Sequence, residues 1–197
     1  MRLDREFFSR PVSDVACDLV GQYFVKETDH GRIVAKIVET EAYGDSNDLA
    51  SHARFSTSNR NEIMFDKPGL LYVYQIYGIF FLANIICETK GKAGAVLIRA
   101  AEVIEGEALA RANLAQSKFV ANNTEMATGP GKFSLVFELS KKDNYRDLCA
   151  DKVIYCLKNH EPVTVISAKR VGIEYADYCR DYLWRFYMKD NLYVSKK

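Results

Sequence analysis

The sequence predicts an α+β fold: a single compact domain over residues 1–197, with an antiparallel-rich mixed sheet, a protruding β-hairpin and surrounding helices. Three observations carry this. Runs rich in β-branched and aromatic residues recur at 33–40, 70–76, 79–86 and 95–101. Tight turn signals, Asp29-His30-Gly31 and Tyr77-Gly78, join consecutive runs at hairpin distance. Helical periodicity is confined to a few short stretches. A chain of 197 residues suits one domain with a sizeable core, and no repeat, low-complexity tract or linker interrupts it.

The elements follow in order. Val12, Val15, Ala16, Leu19 and Val20 recur at helical spacing; Ser13 is a candidate cap and Gly21 a stop. A strand at 23–25 turns into the 33–40 strand. Residues 44–66 are polar and long for a connection, and long loops in compact domains are usually functional. Lys67-Pro68-Gly69 is a turn. Two strands then meet at Tyr77-Gly78, whose tip must project, so Tyr77 is not core. Asn84 is a lone amide in an apolar strand, suited either to a bulge or to a pocket wall. The 95–101 strand carries Arg99, which needs an anionic partner if buried, in a structural pair or in a site. Residues 105–119 read as an amphipathic helix, 122–132 as a turn-rich loop and 133–139 as helical. Further strands are expected at 153–157, 163–170 and 184–188.

Composition excludes several classes. Charged residues are 27% and the net charge is +1, so a nucleic-acid partner would need a local basic patch. The five cysteines are widely spaced with no C-x-x-C pair, which reads as neither a disulfide framework nor a metal centre. No cofactor is implied. The first residues hold no apolar run fit for a signal peptide, and the apolar stretch 76–86 is too short to span a bilayer. The expected location is the cytoplasm or nucleoid, or the nucleus in a eukaryote.

The chemistry concentrates at Val38-Glu39-Thr40-Glu41-Ala42-Tyr43. Strict alternation places Glu39, Glu41 and Tyr43 on the face of Ile33, Ala35 and Ile37. Carboxylates continuing an apolar face are costly unless paired or used. The alternative is two solvent-facing charges at a fraying strand end. His52, in the polar loop, is either a solvated side chain or part of the same site.

An ordered set of motifs resembles the alkyladenine (3-methyladenine) DNA glycosylase family. It comprises Val38 to Tyr43 as quoted, Arg60-Asn61 with Met64-Phe65, and Lys67-Pro68-Gly69. It continues through Leu71-Tyr72-Val73-Tyr74, Ile76-Tyr77-Gly78, Asn84 and Val96-Leu97-Ile98-Arg99-Ala100. Gly129-Pro130-Gly131-Lys132, Ala168-Lys169-Arg170-Val171-Gly172 and Arg185-Phe186-Tyr187 complete it. Gly131 stands where relatives usually carry serine or another small residue. The resemblance implies a monofunctional glycosylase that flips an alkylated purine from duplex DNA and leaves an abasic site. It implies Glu41 as general base with Glu39 in support, and Arg99 and the Val171 carbonyl holding the water. Tyr43, His52 and Tyr74 would sandwich the base, Asn84 would border the pocket, and Tyr77 would fill the gap in the duplex. Arg60, Lys67, Lys132 and Arg170 are candidates for the DNA backbone. It implies a monomer that needs no metal.

Two other classes compete on the residues alone. A single-strand-binding module would use the tyrosines but has no use for Glu41. A small nucleoside hydrolase would not need the Tyr77-Gly78 tip.

Overall fold

The computed structural model describes residues 1–55, 61–118 and 126–196. Its centre is β2 (Gly31–Tyr43), a strand of 13 residues. One edge of β2 pairs with β5 (Ala95–Glu105). The other edge is shared end to end: β1 (Tyr23–Thr28) takes Gly31 to Lys36, and β8 (Arg185–Met188) takes Glu39 to Glu41. The sheet extends through β4 (Phe80–Ile86) to β3 (Leu71–Ile76) on one side. It extends through β6 (Ile154–Leu157) on the other, while β7 (Val165–Ala168) pairs with β8. Every strand pairing among the described residues is antiparallel.

Helices cover the apolar face. The short α1 (Arg5–Phe8) is capped by the Asp4 side chain. Helix α2 (Val12–Leu19) buries Val12, Val15, Ala16 and Leu19, the expected stripe. Its start differs from expectation: Pro11, not Ser13, is the N-cap, and no local side chain caps it. The Glu88 carboxylate, distant in sequence, accepts from the Val12 N–H at 2.9 Å instead. Helix α3 (Glu107–Ala115) begins later than expected, because β5 runs through Glu105 and Gly106 caps the helix; Phe119, the expected end, lies outside the described residues. Helix α4 (Pro130–Val136) starts at Pro130, so Gly129-Pro130-Gly131-Lys132 is a cap and first turn rather than a loop. A ring cluster joins α4 to β1. Phe24 lies 5.2 Å from Phe133 and 4.9 Å from Phe137, edge-on to both.

The decisive local feature is a register break in the centre of the sheet. Ile37 pairs with Ala101, Glu39 with Ala100 and Thr40 with Ile98. Val38 on β2 and Arg99 on β5 thus have no partner across the ladder. The alternation flips as a result. Ile33, Ala35 and Ile37 face the main core, and so do Thr40 and Ala42; Val38 faces the other way, against Ala100 and Val194. Glu39, Glu41 and Tyr43 therefore leave the face of Ile33, contrary to strict alternation, and point away from the helices.

Candidate active site

On that opposite face lies a cleft of about 340 Å³, enough for a purine-sized ligand. Tyr43, His52, Tyr74, Tyr77, Asn84, Arg99 and Val171 all line it. Seven residues spread over 129 positions of sequence thus converge. Larger cavities of about 630 and 520 Å³ lie elsewhere, but neither contains Glu41 or its partners.

Glu41 sits directly behind the cleft floor and is fully buried. Its Oε1 accepts from the Val171 N–H at 2.7 Å, and its Oε2 accepts from the Tyr43 hydroxyl at 2.8 Å. Arg99 Nη1 is 3.2 Å from Oε2. All three partners also border the cleft. Burial pushes the Glu41 carboxyl above the ordinary glutamate range. Arg99, the Val171 N–H and Tyr43 oppose that rise, and Glu39 adds to it. Burial and the adjacent Glu41 also hold the Tyr43 hydroxyl firmly protonated, as a donor.

Glu39 has a different environment. Its Oε1 accepts from Arg99 Nε at 3.1 Å and Arg185 Nη1 at 3.0 Å, and its Oε2 accepts from the Ser195 N–H at 2.7 Å. It is fully buried as well and, like Glu41, reaches the cleft only through its partners; for Glu39 the cleft-lining partner is Arg99 alone. Arg99 bridges the two glutamates. Burial works against its charge, yet Glu41 and Glu39 together raise its pKa.

The aromatic walls come from β2, β3 and the polar loop. His52 opens a 3-10 turn (His52–Arg54) capped by Ser51. Its Nδ1 is 3.1 Å from the Tyr72 hydroxyl, and its ring meets Tyr74 edge-on at 4.7 Å. Tyr72 was not anticipated as a site residue; it shares the β3 alternation with Tyr74, and nothing local marks it as the histidine's anchor. Asn84 is buried on β4 opposite Tyr72 and donates to the Tyr72 carbonyl at 3.3 Å.

Tyr77 occupies the hairpin tip as expected and is 88% exposed. Tyr77 and Gly78 both have positive φ, 51° and 68°, as a tight hairpin between twisted strands requires. Glycine takes that conformation freely; tyrosine does so at a cost of about 1–3 kcal/mol. An exposed ring held in a strained turn has no packing reason to be there. Gly131 lies against the same hairpin: an added Cβ would come within 3.2 Å of the Phe80 ring.

The expected backbone contacts divide. Arg170 is not available: it is buried, and its guanidinium holds Asp48 at 2.6 and 2.8 Å. Lys67 pairs with Asp147 at 2.8 Å, and the six residues of β3, roughly 20 Å of strand, separate it from Tyr77. Lys132 lies in the first turn of α4, near the cleft-lining Pro130. Arg60 lies outside the described residues. The partners of Glu39, Arg185 and Ser195, were not foreseen, because nothing local ties the last residues of the chain to β2.

Comparison with known proteins gives the family. The methylpurine-DNA glycosylase family matches residues 6–192. A Clostridium novyi strain NT protein, provisionally named 3-methyladenine DNA glycosylase, is 41% identical over 100% of this chain and 99% of its own length. A protein of Clostridium botulinum strain Langeland with the same provisional name is 39% identical over 100% of both chains. With matches of this extent, the chain belongs to the methylpurine-DNA glycosylase family, DNA-repair hydrolases that act on N-glycosidic bonds.

Proposed function

We propose that this protein excises N-alkylated purines of the 3-methyladenine type from double-stranded DNA, as a monomer, by flipping the damaged nucleotide into the cleft. The observation that carries the reading is the buried Glu41 carboxylate behind a tyrosine- and histidine-walled cleft, with the exposed Tyr77 ring at its mouth. A base inside a duplex hides its glycosidic bond, so the nucleotide must leave the stack. Tyr77 then wedges into the vacated space. The electron-rich rings of Tyr43 and Tyr74 suit a cationic alkylated base.

In the chemical step, Glu41 accepts a proton from a water that attacks C1′ of the sugar. The C1′–N bond breaks, and its electron pair departs with the purine, neutralising the positive charge of the alkylated ring. Such a base is a good leaving group, so one carboxylate suffices at the oxocarbenium-like transition state. Arg99 and the Val171 carbonyl hold the water beside Glu41. Arg99 also favours the ionised form of Glu41 against the pull of its burial. Asn84 sits at the wall where a guanine amino group would crowd. No lysine lines the cleft among the described residues, which supports direct hydrolysis over a Schiff base. A pure single-strand-binding role would leave the two hydrogen bonds and the ion pair at Glu41 without a purpose.

The test is release of base from duplexes carrying single alkylated purines, read as abasic-site formation, alongside borohydride trapping. Free base with no trapped adduct is expected. Binding without release would reject the enzyme reading, and release only from free nucleosides would reject the duplex substrate.

Two further results are expected. Duplex affinity falls as salt rises, with a log–log slope of about −3 if three cations contact phosphate, at about −0.9 each. Arg60, Lys67 and Lys132 are the candidates; a salt-independent affinity contradicts this. Tyr77→Ser leaves the melt within about 0.5 kcal/mol of wild type, because the ring is almost wholly exposed. Its excision from well-paired duplex drops more than from a mismatched site, where flipping is already easier. Equal slowing of both substrates would assign the ring another role.

A further inference from the structure

Arg170, displaced from its expected place on the DNA, joins the end of β2, the loop after it and the turn at Cys179. Its Nη1 donates to the Ala42 carbonyl at 2.8 Å and its Nη2 to the Cys179 carbonyl at 3.2 Å, beside the paired contact with Asp48. Asp48 in turn accepts from the Gly44 N–H at 2.9 Å and the Ala50 N–H at 3.1 Å. The pair therefore holds the backbone on both sides of Tyr43, through Ala42 and Gly44. The guanidinium also lies over the Tyr43 ring, 4.9 Å from its centre. The residue after Arg170 is Val171, whose N–H reaches Glu41.

We propose that the Asp48–Arg170 pair is the positioning device of this active site: it sets the Tyr43 hydroxyl and the Val171 N–H on the two oxygens of Glu41. This rests on the reading of Glu41 as the base. Neither Asp48 nor Arg170 borders the cleft, so the pair acts on the carboxylate through the backbone and not on the substrate. A buried ion pair is poor evidence for stability by itself. Here it joins three chain segments that no strand pairing connects at this point.

The electrostatics make the role testable. Glu41 faces Arg99 from β5, Tyr43 and Glu39 from β2, Arg170 and the Val171 N–H from the loop after β7, and β8 through the Arg185 that neutralises Glu39. The Val171 and Tyr43 hydrogen bonds favour the ionised carboxylate. Losing them moves the acid limb of the pH–rate profile upward. Arg170→Lys keeps the positive charge but cannot make the two-pronged contact. Asp48→Asn removes a negative charge, whose direct effect would move the limb downward. Positioning and simple charge thus predict opposite signs for Asp48→Asn.

The experiment measures single-turnover excision and duplex affinity against pH in wild type, Arg170→Lys and Asp48→Asn. It is paired with amide exchange at Val171, and with the pH dependence of that amide's proton shift. Both variants are expected to lose about 10- to 100-fold in rate with duplex affinity nearly unchanged, and both acid limbs move up. The wild-type Val171 amide is protected and follows a carboxyl titration that Glu41→Gln removes; in Arg170→Lys it exchanges freely. An acid limb that stays or moves down in both folded variants overturns the proposal. Rapid exchange at Val171 in wild type overturns it even if neither variant folds. A wild type that excises nothing would reject the activity instead, and the amide readout would still decide the positioning role.

Discussion

Glu41→Gln is expected to lower excision by about 100-fold or more while duplex binding survives. Glutamine keeps the shape and still accepts from the Val171 N–H, but cannot take a proton from water. The wild-type rate should fall as pH drops through the Glu41 pKa. Burial raises that pKa, so the acid limb lies above the ordinary glutamate range. The same shift predicts the effect on folding. A carboxyl whose folded pKa is raised contributes stability below its unfolded pKa and loses that contribution as pH rises through the folded value. Above the Glu41 pKa the ionised carboxylate is therefore a cost to the fold, and there Glu41→Gln should melt at or above wild type. Measurements of single-turnover rate, duplex affinity and melting temperature above that pKa check all three. An active Gln variant would remove Glu41 from the base role; a strongly destabilised one would contradict the stability argument.

Glu39→Ala is expected to have the opposite profile. Glu39 is the shared anion of Arg99 and Arg185 and the acceptor for the Ser195 N–H. Removing it leaves the buried Arg185 without a carboxylate partner among the described residues and takes the acceptor of the Ser195 N–H away. Breaking one side of a buried ion pair costs about 3–5 kcal/mol. For a chain of this size that is roughly 10 °C in melting temperature. Activity per folded molecule should fall less than in Glu41→Gln, because Arg99 keeps its contact with Glu41. A Glu39→Ala protein with wild-type stability but no activity would exchange the roles assigned to the two glutamates.

Much of the fold was legible because its signals are local. The α2 stripe, the two hairpins and the short strands follow from side-chain period and turn chemistry, which neighbouring residues impose on one another. Tyr77 was the most legible of the cleft-lining residues: a glycine turn between two β-rich runs forces its neighbour outward whatever the rest of the molecule does. The ordered motifs supplied the family, and with it the cleft's aromatic residues.

Tertiary structure alone decided the rest. Strict alternation put both glutamates on the core face, but the skipped pairings at Val38 and Arg99 turn them to the other side, and a register break depends on the partner strand. It also separated two carboxylates that differ by two positions. Arg185, 146 residues away, pairs with Glu39 and the Ser195 N–H, 156 residues away, donates to it, whereas Glu41 meets Tyr43, Arg99 and Val171 behind the cleft. Arg170 reads in sequence as one of several basic residues. Its burial against Asp48 comes from the folding of two loops 122 residues apart. Local pattern determines which side chains a strand or turn presents; desolvation and long-range pairing determine which of them carry reactive charge.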